Sequence, residues 1–353
     1  MRKVGEKECA PPDTSPTNDR RHVPLYVDVL KVFRARLFFI LFFNVLLLVP
    51  VYVTAAVSTA GVIGAAGYYA YHLYQKTKNR LPADDEWKEI GVLKNLYTYP
   101  VKSCAPVILD QAECSALGLH DGWLWDRKMM IVNTKDNNFI TARAYPELLK
   151  VQPSFKRAIL TLKNPDMEPI EINLAEVRSV KNNQGHPPMV RTCRKNTFRL
   201  VYYASTKSRV KVGKPKGNLT DEMTYNLMNE SSVQDLNKRL KNVRVTHNNF
   251  RPNFVLSGDN IVPYDEDYWR YIKIGENVFE IIKPCTRCVL TTIDPETGIR
   301  NVEVLETLRS YRMAEEPEVR KATGTSPRLG LQIALRSGPG KIVSLNDPIY
   351  VAY

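Results

Sequence analysis

Along this chain the pattern of apolar and polar positions changes character twice. Residues 1–24 are polar, rich in Pro, Asp and Arg, and show no hydrophobic period, which reads as disorder. A stretch free of Asp, Glu, Lys and Arg then runs from Leu37 to Tyr74, opening with the largely apolar run Leu37–Val53. It exceeds the ~20 apolar residues that a helix needs to cross a bilayer. It also begins too far from Met1 for a cleaved signal peptide. Pro50 and the small residues of Thr54–Gly67 predict a kink or a second, interfacial part. The sequence therefore predicts a disordered basic tail over 1–36 and a transmembrane anchor over 37–74. Lys31, Arg34 and Arg36 before the segment balance Lys76, Lys78 and Arg80 after it, so flanking charge does not set its orientation.

From Trp87 onward the texture is one of short β-like runs parted by turn residues: Ile90–Tyr97, Met129–Asn133, Ala158–Leu162, Ile170–Asn173, Thr197–Tyr203, Asn253–Ser257, Val278–Ile282 and Pro348–Tyr353. Helical periodicity is confined to Ser231–Leu240, opened by a serine cap, and Leu305–Met313. Many short strands with few helices predict a mainly β (α+β) fold. The expected architecture is two packed β-barrel-like domains, over 88–196 and 197–353, behind an N-terminal transmembrane helix.

Composition adds a charge argument. The 353 residues carry a formal net charge of +13. Residues 1–80 hold 11 Lys+Arg and 5 Asp+Glu, leaving 39 against 32, or +7, on the remainder. Lys181–Lys216 concentrates ten Lys+Arg with no Asp or Glu, either a solvated linker or a surface for an anion or an acidic protein. Interleaved aromatics are absent from most of it, which argues against nucleic-acid binding. The six cysteines (Cys9, Cys104, Cys114, Cys193, Cys285, Cys288) are too scattered for a secreted disulfide framework and fit a reducing compartment. Nucleotide-binding fingerprints of the G-x-G-x-x-G or Walker type are also absent.

The sharpest local feature is Lys283-Pro-Cys285-Thr-Arg-Cys288, followed by the turn-forming Asp294-Pro-Glu-Thr-Gly298. The order places Cys288 at a strand end just before a rigid turn, with a second strand expected after the pair. Arg287 beside it would favour a thiolate, the soft ligand that molybdenum or copper prefers. A structural zinc site needs further Cys or His partners that the sequence does not offer, and a thioredoxin-like pair should open a helix. The spacing alone leaves metal, redox and inert readings open.

Further segments, in order, are Tyr99-Pro-Val-Lys-Ser-Cys104, Gly118-Leu with Asp126-Arg127, Thr141-Ala-Arg143, Asp235-Leu-Asn-Lys-Arg-Leu240, Asn249-Phe-Arg-Pro-Asn253, Leu305-Glu-Thr-Leu308 and Gly340 to Tyr350. With the Cys-Thr-Arg-Cys segment they make the chain, from about Ile90 to Tyr353, resemble the amidoxime-reducing components of the molybdenum-cofactor sulfurase C-terminal (MOSC) domain family. The resemblance implies a molybdenum cofactor (Mo-molybdopterin) ligated by Cys288. It implies that Lys102, Ser103, Arg127, Arg251, Asn253, Thr286 and Arg287 hold the pterin and its phosphate. The implied reaction is two-electron reduction of N-hydroxylated compounds (amidoximes, hydroxylamines, N-hydroxyguanidines, with nitrite a further candidate). The implied electron source is NADH, through cytochrome b5 reductase and cytochrome b5. The implied location is the mitochondrial outer membrane, with the catalytic part facing the cytosol.

Two departures qualify the match. Asp221-Glu-Met-Thr-Tyr225 stands where relatives carry small hydroxyl residues and a proline, and it brings Glu222 toward the expected phosphate. The basic stretch Gly185–Lys195 replaces a helix expected before Thr197–Tyr203. The competing readings are a cofactor carrier or sulfur-transfer module, and a non-enzymatic, membrane-anchored interaction protein with a decayed site.

Overall fold

The computed structural model describes residues 34, 36–45, 63–73, 80–179, 189–190, 198–203, 209–211, 214–216, 219, 223–336 and 340–353. The chain forms two compact units, Met1–Leu81 and Pro82–Tyr353. In the first, the described residues are helical over 36–45 and 63–73. No helix among the described residues is long and apolar enough to cross a membrane. The anchor expected at Leu37–Tyr74 lies largely outside the described residues.

The second unit is built on a closed barrel of seven strands. In chain order they are β1 (Lys88–Thr98), β2 (Tyr225–Asn229), β3 (Phe254–Ser257), β4 (Tyr271–Ile274), β5 (Asn277–Thr286), β6 (Arg328–Leu335) and β7 (Pro348–Ala352). Around the barrel the order is β3, β2, β6, β5, β4, β7, β1, and β1 closes it by pairing with β3. A closed ring with an odd number of strands cannot be antiparallel throughout. The exception is β2 beside β3, where Leu227 is in register with Phe254. Parallel neighbours need a long crossover. Here it carries helix α1 (Glu230–Arg239) and the 3-10 turn His247–Phe250. This crossover delivers the chain to Arg251 and Asn253.

The barrel interior is filled by alternate residues such as Leu93, Leu227, Phe254, Ile272, Phe279, Ile333 and Val351. Tyr225, Phe254 and Phe279 pack ring against ring at 5.3–5.5 Å between centroids. On the outer face, Met228, Val255 and Leu329 meet Val233, Leu236 and Leu240 of α1 and Val304 and Leu308 of α2 (Glu303–Tyr311). Leu329 and Leu331 are two residues apart yet face opposite sides, because Gly330 between them adopts φ 72°. A Cβ there would stand 2.5 Å from the Leu227 carbonyl oxygen.

The strands outside the barrel include Met129–Asn133 paired with Phe198–Tyr202, and the three-stranded sheet Gln152–Lys156, Ile159–Asn164, Met167–Asn173. They share a core of Val101, Met129, Leu160, Ile172, Leu174 and Leu200. A six-residue helix, Leu174–Ser179, follows this sheet, and the stretch Gly185–Lys195, where a helix was expected to be replaced, lies almost wholly outside the described residues. Most of the basic stretch Lys181–Lys216 falls outside the described residues.

Three expectations need correction. The cap of α1 is Asn229, whose side chain accepts from the Ser231 N–H, and the serine sits inside the helix. No strand follows directly on the cysteine pair: β5 carries Cys285 and ends at Thr286, and a 3-10 turn, Val289–Thr292, comes after Cys288. The strands β2, β4 and β6 were not among the runs named from the sequence, and β2 is buried at every position. A strand covered on both faces loses the period of two that marks half-buried ones.

Candidate active site

All eight residues singled out above line one cavity of about 240 Å³. Lys102 and Ser103 follow β1, Arg127 follows the short hairpin His120–Trp125, Arg251 and Asn253 end the crossover, and Thr286, Arg287 and Cys288 end β5. Seven non-glycine residues among those described have left-handed φ, and three of them are on this wall: Ser103 (72°), Arg127 (46°) and Arg251 (55°). Such conformations are costly and persist where surrounding contacts over-determine them, commonly at functional sites.

At Asn253 those contacts are dense. Its side-chain amide donates to the Tyr97 carbonyl (3.1 Å) and to Asp126 Oδ1 (3.2 Å). Its Oδ1 accepts from the Asn226 N–H (3.1 Å) and Arg127 Nη1 (3.4 Å). Asp126, almost fully buried, also accepts from the Tyr99 N–H at 2.9 Å and pairs with Arg127 at 2.5 Å. Asn253 therefore locks β1, β2 and the Asp126-Arg127 loop together. Sequence reasoning missed Asn226 and Gln332. Their signal is a polar residue flanked by apolar ones in a largely apolar strand, which must find buried partners.

Arg287 and Arg251 differ sharply. The Arg287 guanidinium is buried and donates to the carbonyls of Leu329 (2.8 and 2.5 Å) and Phe250 (2.9 Å), and to Asn226 Oδ1 (3.4 Å). Its charge is turned into the barrel wall, against the carbonyls of Leu329 and Phe250. Arg251 is half-buried and lies 4.2 Å over the Tyr99 ring, and its guanidinium has no hydrogen-bond partner among the described residues. Burial pushes it down to about 10. Arg127 lies 4.8 Å over the same ring, and Lys102 Nζ donates to the Leu219 carbonyl at 3.0 Å. The buried Tyr99 hydroxyl has no partner among the described residues, and burial raises its pKa.

The two cysteines differ in their place on the strand. Pairing of β5 with β6 shifts register between Pro284 and Thr286, where Cys285 alone stands opposite Leu329 and Gly330 and the extra residue belongs to β6. Proline, which has no N–H for the ladder, is tolerated at such a place. Cys285 is buried, and its sulfur accepts from Gln332 Nε2 at 2.9 Å, while Gln332 Oε1 accepts from the Met223 N–H at 3.1 Å. Cys288 is exposed and stands at the start of the 3-10 turn. Its carbonyl accepts from the N–H (3.0 Å) and hydroxyl (2.8 Å) of Thr291. It is thus held by its backbone and free at its sulfur. No group of three or more His, Cys, Asp or Glu among the described residues could hold a metal ion. A metal at Cys288 would need its other ligands from an organic cofactor. Glu222 lies outside the described residues, while Met223 and Thr224 line the cavity.

Residues 90–196 match the MOSC N-terminal beta barrel domain and residues 214–350 the MOSC domain. The chain is 33% identical over 293 residues to mitochondrial amidoxime-reducing component 1 of Homo sapiens, covering 75% of this chain and 84% of that protein. It is 34% identical over 294 residues to mitochondrial amidoxime reducing component 2 of Rattus norvegicus, covering 74% and 84%. With component 1 of Danio rerio it shares 30% over 331 residues, covering 84% and 93%.

Proposed function

The chain belongs to the mitochondrial amidoxime-reducing component family of MOSC-domain proteins, and on that premise we propose that it is a molybdenum-cofactor-dependent reductase of N-hydroxylated compounds. One observation carries this reading: a single cavity holds both an accessible thiol, Cys288, and a half-buried guanidinium, Arg251, with no hydrogen-bond acceptor or ion-pair partner among the described residues. A buried cation without a counter-ion is costly and is relieved by an anionic ligand. A phosphorylated pterin with a thiolate-bound metal fits that donor set.

When bound, the molybdenum cofactor supplies the two-electron reduction of the N–O bond. The protein's part is to bind and orient. Cys288 offers its sulfur to the metal. Arg251, Arg127 and Lys102 face the anionic end, where guanidinium forks and an ammonium suit phosphate oxygens. Asn253 and Arg287 act through the wall they fix, keeping these donors and the Cys288 turn in place. Electrons come from NADH through cytochrome b5 reductase and cytochrome b5. The membrane is the mitochondrial outer membrane, reached through the Leu37–Tyr74 segment, with the catalytic part facing the cytosol. The relatives' names support the mitochondrion, and the exposed apolar side chains of Leu37–Val45 support an anchor.

The test is reconstitution of the full-length protein with molybdenum cofactor, NADH, cytochrome b5 reductase and cytochrome b5. Benzamidoxime should be reduced to benzamidine. Stoichiometric cofactor binding without benzamidine formation would overturn the reductase reading in favour of a carrier.

A further inference from the structure

Five cationic residues line the cavity, and apart from Arg287, which is committed to the wall, they divide into two groups. Lys102, Arg127 and Arg251 are one group: Lys102 reaches the Leu219 carbonyl, the Leu219 N–H bonds the Arg127 carbonyl, and Arg127 and Arg251 share the Tyr99 ring. Arg143 stands apart from them. It sits in a tight turn in which the Thr141 carbonyl accepts from the N–H groups of Ala144 (3.0 Å) and Tyr145 (2.9 Å). Ala142 packs into a small core with Ile293 and Leu290, and Arg300 donates to the Arg143 carbonyl. Leu290 and Thr291, in the turn that Cys288 opens, line the cavity beside Thr141 and Arg143. Arg143 is thus fixed by its backbone at the Cys288 end, with its side chain exposed.

No Asp or Glu lines the cavity among the described residues. A guanidinium held at the end where the reacting atoms must arrive, with hydroxyls of Thr141 and Thr291 nearby, suits a carboxylate by its paired N–H geometry. We propose that Arg143 determines substrate preference, selecting N-hydroxylated compounds that also carry a carboxylate or similar anionic group. This rests on the reductase reading above and names the substrate class of that site.

Binding tests it separately from turnover. Affinities of 4-carboxybenzamidoxime and benzamidoxime for the cofactor-loaded, full-length protein are measured by calorimetry, with cofactor content and turnover recorded on the same samples. The carboxylate compound should bind about tenfold tighter, the scale of a charge-assisted hydrogen bond. Arg143→Gln should abolish the ratio, Arg143→Lys should keep most of it, and raised salt should shrink it. Cofactor content should equal that of the unmodified protein in both variants. The proposal is overturned if the unmodified protein shows no preference or if the preference survives in Arg143→Gln. Loss of cofactor in that variant also overturns it, by placing Arg143 among the cofactor's own ligands. Preference without turnover refutes the reductase reading and leaves this inference standing; turnover without preference does the reverse.

Discussion

Two stretches of the cavity wall carry the same residue type and use it in opposite ways. Where β5 meets β6, Arg287 is buried with its guanidinium committed to three protein acceptors on Leu329, Phe250 and Asn226. At the end of the crossover, Arg251 is half-buried over Tyr99 with no such partner among the described residues. Both belong to motifs that a sequence comparison would call cofactor-binding. Their hydrogen bonds separate them: one arginine builds the wall, and the other is available to a ligand. The cysteines repeat the contrast, Cys285 tucked against Gln332 and Cys288 exposed at the turn.

Replacing each arginine tests that contrast most strongly. Arg287→Leu leaves the carbonyls of Leu329 and Phe250 without their donor and should cost about 3–5 kcal/mol of stability, read from denaturant midpoints. Gly330→Ala should act in the same direction, since its Cβ would meet the Leu227 carbonyl at 2.5 Å and the Arg287 guanidinium at 3.2 Å. Arg251→Leu removes a desolvated cation and should change stability by less than ~1 kcal/mol, while molybdenum content falls about tenfold. Equal loss of stability in Arg287→Leu and Arg251→Leu would erase the distinction between wall and ligand site.

A smaller effect concerns another buried charge. Glu266 is fully buried, accepting from Asn229 (2.8 Å) and Ser232 (2.8 and 3.0 Å), and burial raises its pKa to about 7 despite those bonds. A carboxyl whose folded pKa lies above its unfolded value of 4.5 holds its proton more tightly in the fold. Its stabilising contribution is therefore complete below 4.5, declines as pH rises toward 7, and is flat above that. Glu266→Gln should remove that decline, amounting to no more than ~3 kcal/mol between the two limits. Thermal midpoints of the two proteins from pH 4.5 to 8 check it, and parallel curves would count against a buried, proton-binding Glu266.

Much of this was legible in the sequence, for physical reasons that also mark its limits. Short β-like runs between turn residues, such as Met129–Asn133 and Phe198–Tyr202, announced themselves as strands. Helices α1 and α2 did so by their apolar stripes. The strands β2 and β6, buried almost throughout, did not, and with them went the closure of the barrel and the hidden partners Asn226 and Gln332. The motifs located every cavity residue that was named, because short segments around turns survive as patterns. They could not reveal that Arg287 faces the wall or that Cys285 stands opposite a bulge in β6, since both depend on how β5 pairs with β6. Sequence likewise assigned the serine of α1 to its cap, one turn chemistry too late, because Asn229 does the same work from the end of β2.

The central claim is that Cys288, and not Cys285, ligates the metal. X-ray absorption at the molybdenum edge of the purified, cofactor-loaded protein tests it by counting sulfur neighbours. The account predicts that Cys288→Ala loses one sulfur from the metal's shell while Cys285→Ala keeps the full set. An unchanged sulfur count in Cys288→Ala, or an equal loss in both variants, would contradict it.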